Sequence, residues 1–131
     1  DSDEMARRIK AVLDRGHPWI VAEADDGRLL GYAYASLFHP RAAYARTFEN
    51  SVYLAGDAQG QGLGTALMLE LLPMCKAAGA REMIALIGDS ANAASIALHT
   101  KLGFRHVGVI TDVGEKFGRL LDVVYMQLSL K

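Results

Sequence analysis

The sequence has little of what marks an exported, membrane-embedded or nucleic-acid-binding protein. Cys75 is its only cysteine, so no internal disulfide can form. No apolar run approaches the roughly 20 residues that a membrane span needs, and no signal peptide is visible. The formal net charge is −1, so no strong field attracts nucleic acid or an anionic membrane. We therefore expect a cytoplasmic protein that binds neither.

Length and composition favour one globular domain. The chain has 131 residues, of which 51% are hydrophobic, and a chain of this size buries roughly two thirds of its unfolded surface. It starts at Asp1 and not at a methionine, so we expect an upstream segment to be missing. The histidines show no ligand spacing with one another or with the cysteine, and no metal site is expected.

Apolar periodicity and turn signals divide the chain into three helices and six strands. The predicted helices are 2–15, 62–78 and 92–102, and the predicted strands are 19–24, 29–37, 47–54, 82–87, 104–111 and 120–130. Residues 38–46, 88–91 and 112–118 are expected to be loops or turns. Two strand–helix–strand units beside strand-rich ends predict a mixed α/β or α+β domain.

The predicted helix 62–78 carries a proline and the lone cysteine. Its apolar stripe is expected to be Leu63, Leu67, Leu71, Met74, Cys75 and Ala78. Pro73 removes one helical hydrogen bond and is expected to kink or divide the helix. Cys75 has no activating neighbour, so it is interpreted as a packed core thiol and not as a nucleophile.

A glycine-rich segment, Gln59-Gly60-Gln61-Gly62-Leu63-Gly64-Thr65, joins strand 47–54 to this helix. Strand, glycine loop and helix N-terminus together form a recurrent phosphate cradle. A P-loop is excluded because the chain contains no Gly-Lys pair, and a dinucleotide fingerprint is excluded because Thr65 replaces its third glycine. The remaining pattern, Gln-x-x-Gly-x-Gly, is explained either by a bound diphosphate or by an ordinary glycine-rich turn.

That pattern resembles the acetyl-coenzyme A signature of the GCN5-related N-acetyltransferase superfamily, and the block Asn92–Phe104 resembles that superfamily's second motif. Separated segments narrow the resemblance to the phosphinothricin and methionine sulfoximine N-acetyltransferases: Glu49–Leu54, Ile87–Ser90, Leu98-His99 and Val113–Arg119. The likeness covers nearly the whole chain in order. In this family a strand and a helix normally precede the region, which agrees with a missing N-terminal segment.

The resemblance implies a mixed, mostly antiparallel central sheet, flanked by helices and splayed where acetyl-coenzyme A binds. Backbone groups of Val52, Tyr53 and Leu54 would pair with the pantetheine arm, and the loop Gln59, Gly60, Gln61, Gly62, Leu63, Gly64 and Thr65 would hold the pyrophosphate. Asn92, with Ser95 and Lys101 as weaker candidates, would contact the cofactor from the second helix. The family also implies a homodimer.

Two side chains are candidates for proton transfer. An amine attacks only after losing its proton, and Glu49 matches the family's base position; the alternative is an edge-strand charge facing water. His99 stands where many relatives carry tyrosine, and it is the candidate acid or proton relay for the leaving thiolate. The alternative is a histidine satisfied by core neighbours. No covalent intermediate is needed, so direct transfer in a ternary complex is expected.

The acceptor is less well defined. The family pattern in loop 38–46 is echoed by Phe38, Ala43 and Tyr44, and Arg41 could bind a carboxylate. Arg46, Lys116 and Arg119 are further candidates that could equally be surface charges. Three interpretations stay open: acetylation of a phosphinothricin- or methionine sulfoximine-like amino acid, acetylation of another amine or peptide N-terminus, and a non-catalytic acyl-coenzyme A-binding module.

Overall fold

The computed structural model describes residues 2–89 and 92–131. Its helices are α1 (Ser2–Asp14), α2 (Leu63–Ala77) and α3 (Ala93–Lys101). Its strands are β1 (Trp19–Glu23), β2 (Leu29–Leu37), β3 (Thr47–Leu54), β4 (Glu82–Ile87), β5 (Arg105–Lys116) and β6 (Arg119–Ser129), with short 3₁₀ turns at Ala42–Tyr44 and Gly56–Ala58. The turn expected at 88–91 falls partly on Ser90 and Ala91, which lie outside the described residues. None of the described helices has the length and apolar character needed to cross a membrane.

The strands form one mixed sheet in the order β1-β2-β3-β4-β6-β5. All neighbouring pairs are antiparallel except β3 and β4, which run parallel because α2 crosses over between them. β3 is therefore a central strand. The interpretation of Glu49 as an edge-strand charge is wrong, since β2 and β4 flank it on both sides.

Helix α2 covers one face of the sheet and builds the core. Leu67, Leu71 and Cys75 are buried as expected, whereas Met74 is 42% exposed and Ala78 lies beyond the helix at the surface. Met68 and Leu72 are buried in their place. The predicted stripe is wrong on this side because the helix lies flat against a sheet, which buries adjacent positions 67–68 and 71–72 and not a single narrow row.

Pro73 does not divide α2, which continues through it as one helix. A proline removes the hydrogen bond to the carbonyl four residues earlier, here that of Leu69. Pro73 lies on the exposed side and the Leu69 side chain is 60% exposed. Water can satisfy that carbonyl, which explains why the helix tolerates the proline.

Helix α1 lies over the opposite face and packs loosely, with only Val12 buried among its residues. On this face of the sheet four aromatic rings lie side by side across β1, β2 and β3. Trp19 stacks on Tyr32 and Tyr34, and Tyr53 lies tilted against Tyr32. The ring centroids of Trp19 and Tyr34 are 4.1 Å apart. The two faces of the sheet therefore differ, one apolar and covered by α2, the other aromatic and partly open.

The loop expected at 112–118 is mostly strand, because β5 runs on to Lys116. The ladder with β6 is irregular between Ile110 and Gly114, where Asp112 has a φ of 59° and donates its N–H to Asp122 Oδ1 at 3.0 Å. Phe117 and Gly118, with φ of 53° and 73°, form a two-residue hairpin turn with both central residues at positive φ. A cross-strand partner thus extends a segment whose local composition favours a loop.

Candidate active site

The central opening of the sheet defines the site. The β3–β4 ladder ends at the pair Asn50–Ala85, but β3 continues to Leu54 and β4 to Ile87. Beyond that pair the two strands part, and the backbone of β3 from Ser51 onward has no ladder partner on its β4 side. A buried backbone edge needs hydrogen-bond partners, so this edge is ready to pair with an extended ligand.

The glycine loop closes one end of the opening. Gly60 and Gly62 both have a φ of 77°, a left-handed conformation that is costly for residues with a Cβ. Gly64 serves a different purpose: a Cβ there would meet Leu98 Cδ2 at 3.3 Å and Leu54 Cδ1 at 3.6 Å. Its absence lets the N-terminus of α2 approach both β3 and α3. The first amides of α2 therefore face the opening, at the positive end of the helix dipole.

Two adjoining cavities occupy the opening. A cavity of about 350 Å³ lies between the glycine loop, the end of β3 and the start of α3. A second, of about 200 Å³, lies deeper between β3, β4 and α3. They share Val52, Asn92 and Ser95 as lining residues, so together they form one elongated cleft that suits a long, narrow ligand with a charged end at the loop.

Most predicted cofactor residues line this cleft. The larger cavity is lined by Val52, Leu54, Gln59, Gly60, Gly62, Leu63, Gly64, Thr65, Asn92 and Ser95, among others, and Tyr53 lines the deeper one. Asn92 caps α3, with its Oδ1 accepting the Ser95 N–H at 3.2 Å, and its amide N–H₂ is left to donate to a ligand. Gln61 instead braces the loop by donating to the Asp57 carbonyl at 3.1 Å, and Lys101 lies exposed at the far end of α3.

Glu49 and Asn50 are neighbours on β3 and lie on opposite faces of the sheet. Asn50 is buried on the α2 face at 6% exposure. Glu49 lies on the aromatic face, opposite Ser36 in the register of β2 and β3. Burial raises the pKa of the Glu49 carboxyl above its usual value, and no hydrogen bond or ion pair to it is found within residues 2–89 and 92–131. A carboxylate with these properties is suited to accept a proton near neutral pH.

His99 is held by hydrogen bonds on both ring nitrogens. Its Nδ1 donates to the Ser95 carbonyl at 2.8 Å, so its Nε2 accepts from Asn50 Nδ2 at 3.0 Å. Burial lowers the pKa of His99, and the bond to Ser95 opposes that only in part. The ring is therefore neutral at pH 7. Asn50 was not among the sequence candidates, since the contact joins residues 49 positions apart.

The predicted acceptor residues are not brought to the cleft. Phe38 and Tyr44 are 38% and 45% exposed, and Arg41 is exposed beside the 3₁₀ turn. Ala43 and Arg46 line a separate cavity at the other end of β3. Of the later candidates, Arg119 donates to Asp89 Oδ2 at 3.2 Å, and Lys116 Nζ lies 5.5 Å from the centroid of the Phe117 ring.

Cys75 is a packed thiol, as expected. It is fully buried under α2, and burial raises its pKa to about 12. Within residues 2–89 and 92–131, no group of three or more His, Cys, Asp or Glu side chains is arranged to hold a metal ion.

A mixed sheet that parts between two parallel strands, with a glycine loop and a helix N-terminus at one end of the gap, defines a class of acyltransferases that hold acetyl-coenzyme A in the gap. The comparison with known families agrees with this class. The chain belongs to the GNAT acetyltransferase family: the profile described as "Acetyltransferase (GNAT) family" matches residues 1–104. The predicted fold, with its splayed mixed sheet, is thereby confirmed.

Individual relatives agree with the narrower resemblance. The chain is 52% identical over 130 residues to a phosphinothricin N-acetyltransferase of Alcaligenes faecalis, covering 99% of this chain and 66% of that protein. It is 44% identical over 116 residues to an L-methionine sulfoximine/L-methionine sulfone acetyltransferase of Pseudomonas aeruginosa, covering 88% of this chain and 67% of that protein. The chain thus spans about two thirds of the length of these relatives.

A solved structure carries the same fold with a ligand. It is that of a phosphinothricin acetyltransferase from Sinorhizobium meliloti in complex with acetyl-coenzyme A, and it matches with a TM-score of 0.94 at 45% identity. The match covers 99% of this chain and 70% of that one.

Proposed function

We propose that this protein transfers the acetyl group of acetyl-coenzyme A to the amino group of a small amino-acid-like acceptor, of the phosphinothricin or methionine sulfoximine type. The observation that carries the proposal is the opening between β3 and β4, with a half-buried carboxylate on Glu49 next to the last paired residue, Asn50. The names of the relatives support the acceptor class.

The cleft fits acetyl-coenzyme A. Gly60 and Gly62 adopt a loop that leaves open space where their Cβ atoms would stand, and the α2 amides behind it suit a pyrophosphate. The unpaired β3 edge at Val52–Leu54 suits the amides of the pantetheine arm. When bound, acetyl-coenzyme A supplies the acetyl group as a thioester, and the β3 backbone N–H groups are placed to stabilise negative charge on its oxygen.

Glu49 is the proposed base. Free amines are mostly protonated at pH 7, so the acceptor must lose a proton before it attacks. Because burial raises the pKa of Glu49 above its usual value, its carboxylate is a stronger base than an exposed one. It removes the proton directly or through one water, and the amine then attacks without a covalent enzyme intermediate.

His99 is proposed to position Asn50. As a neutral ring with its Nδ1 proton held by Ser95, it has no proton on Nε2 to give to a departing thiolate. A role as acid or relay would require protonation of Nε2, which burial disfavours. We therefore favour positioning by His99 over acid catalysis at neutral pH.

The proposed enzymatic activity is tested by measuring thiol release from acetyl-coenzyme A in the presence of a panel of amino acids. We expect turnover by the full chain, a loss of about 10²- to 10⁴-fold in Glu49→Gln, and no change in the control Glu70→Gln, whose exposed carboxylate lies on α2. The loss should be largest at low pH, where the amine is most protonated. Calorimetric binding of acetyl-coenzyme A without turnover of any acceptor would instead support a non-catalytic binding module, and full activity of Glu49→Gln would refute the base.

We also propose that the enzyme is a cytoplasmic homodimer. Strand β5 is an unpaired edge of the sheet, and its hairpin with β6 exposes a row of apolar side chains: Val107, Val109, Ile110, Val113, Phe117 and Leu120. Exposed apolar edges of this kind favour association with a second copy. Sedimentation equilibrium at micromolar concentration should give twice the chain mass of 14.2 kDa, and a monomer mass would contradict the proposal.

A further inference from the structure

A cavity outside the cleft lies between α1 and the aromatic face of the sheet. Its volume is about 290 Å³, and its polar lining consists of Arg8 and Arg15 from α1 and the following turn, His17, and the hydroxyl side chains Tyr34 and Ser36 from β2. Its lining residues include two arginines and no acidic residue. Its chemistry therefore suits a small anion.

This cavity lies on the Glu49 side of the sheet. Ser36 stands directly opposite Glu49 in the β2–β3 register, and Tyr34 stands opposite Ser51. Directly opposed residues have Cβ atoms about 4.5–5.5 Å apart. One small molecule can thus reach both the cavity and the Glu49 carboxylate across a single strand spacing.

The two arginines are available to a ligand. Arg8 Nη2 contacts Glu4 Oε1 at 3.0 Å, but both side chains are 54% exposed, and exposed pairs of this kind are weak. Arg15 has no side-chain hydrogen bond or ion pair within residues 2–89 and 92–131. A guanidinium binds a carboxylate through two parallel hydrogen bonds, so either arginine could hold one firmly.

Two further observations support the placement. Tyr53, which lines the acetyl-coenzyme A cleft, has a pKa that burial raises and that the charge of Arg8 partly lowers, so Arg8 lies on the aromatic side of the sheet, towards Tyr53. His17 is buried, its ring lies tilted against Phe48 with centroids 4.2 Å apart, and its Nδ1 has no partner among the described residues. The cavity is thus rigid on one side and positively charged on the other.

We propose that this cavity binds the α-carboxylate of the acceptor, with Arg8 and Arg15 as its ligands, while the amino group of the same molecule faces Glu49. The inference rests on the proposed acetyltransferase function and deepens it. In an α-amino acid, the amine and the carboxylate are attached to the same carbon, which matches the short distance from Ser36 to Glu49. The site therefore selects amines that carry an adjacent carboxylate over simple amines.

Kinetics with paired acceptors test the assignment in the full chain. The acceptors are phosphinothricin and its decarboxylated analogue, 3-aminopropyl(methyl)phosphinic acid, and the variants are Arg8→Gln, Arg15→Gln and the double variant. We expect the double variant to raise KM for phosphinothricin about 10- to 100-fold, the loss of a charge-assisted hydrogen bond or two, with kcat little changed. KM for the decarboxylated amine and for acetyl-coenzyme A should stay the same. Arg7→Gln, an exposed neighbour on α1, is the matched control.

The outcomes separate this inference from the proposed function. An equal loss with both acceptors, no loss with either, or the same loss in Arg7→Gln would overturn the carboxylate subsite while leaving the enzyme in place. If the wild-type chain acetylates no acceptor, the function fails, and calorimetry with phosphinothricin decides the subsite. Binding by the wild type that the double variant loses would support it, and absence of binding, or equal binding by both, would overturn it.

Discussion

The hydrogen bond between Asn50 and His99 is the contact whose removal should reveal most about the site. Both side chains are buried, at 6% and 4% exposure, and the bond from Asn50 Nδ2 to His99 Nε2 measures 3.0 Å. Asn50→Ala leaves Nε2 as a buried acceptor without a donor, which costs about 1–3 kcal/mol. The same change removes Asn50 Oδ1, which has no partner among the described residues. Removing this unpaired buried acceptor offsets part of the cost, so we expect the free energy of unfolding to fall by about 1–2 kcal/mol.

Thermal unfolding followed by circular dichroism at pH 7.5 measures this cost. For a domain of this size 1 kcal/mol shifts Tm by roughly 3–5 °C, so Asn50→Ala should lower Tm by roughly 3–10 °C, whereas Lys76→Ala, exposed on α2, should leave it unchanged. A double-mutant cycle with His99→Ala isolates the pair, with an expected coupling of about 0.5–2 kcal/mol. A coupling below about 0.3 kcal/mol, the usual scatter of independent sites, would show that the bond does not stabilise the protein and would refute this reasoning.

Three further predictions concern the loop, the thiol and pH. Gly62→Ala should lower the free energy of unfolding by about 1–2 kcal/mol and raise KM for acetyl-coenzyme A, because the φ of Gly62 is 77°. The control is Gly56→Ala, where a Cβ meets no atom within 4 Å and φ is not positive. Equal stability of the two variants in urea titrations would contradict backbone strain at Gly62. Cys75 should stay unmodified by an aromatic disulfide reagent at pH 8 in the native protein and react fully in denaturant, since its pKa is about 12 and it is buried; rapid native labelling would disprove its core position. His99 should make the fold less stable in acid: burial lowers its folded pKa below the value in the unfolded chain, so below about pH 6.5 the unfolded state binds a proton that the folded state resists. The pH dependence of urea midpoints between pH 7.5 and 5.5 should therefore be shallower in His99→Ala than in the wild type, and an unchanged slope would exclude this linkage.

The local sequence pattern was sufficient to predict the two strands that border the site, β3 and β4. The bounds of β3 and β4 agree with the sequence prediction at both ends. β3 alternates between its two faces and β4 is a largely apolar run, and polar or glycine-containing segments limit both. The predicted β5 ends five residues too early, at 111 and not at Lys116, since Asp112 and Gly114 are poor strand formers on their own. Their pairing with β6 through an irregular register supplies the hydrogen bonds that local propensity does not.

Only part of the candidate site could be predicted from the sequence. The glycine loop and the strand before it are contiguous in the sequence, so their pattern alone predicts a candidate binding site for a diphosphate. Asn50 and Arg8 are different, because their proposed roles depend on which residues the sheet register and the helix placement bring near them. The prediction that Arg41 binds the acceptor follows from its loop, whereas the proposed carboxylate subsite rests on a cavity lined by Arg8 and Arg15 and by Ser36, which stands opposite Glu49 in the β2–β3 register.

The alternation of side chains along β3 determines from which side of the sheet each substrate approaches in the proposed reaction. Glu49 and Asn50 are consecutive, so they face opposite sides of the sheet: Glu49 faces the aromatic side under α1, and Asn50 faces the side of α2 and His99. An acceptor held by Arg8 would approach from the first side, and acetyl-coenzyme A, held by the glycine loop, from the second. The two can meet only beyond Asn50, where β3 and β4 part. Because the base and the buried histidine lie on different sides of the strand, the proton removed by Glu49 does not pass through His99, and direct attack of the amine through the opening is the simplest mechanism that this arrangement supports.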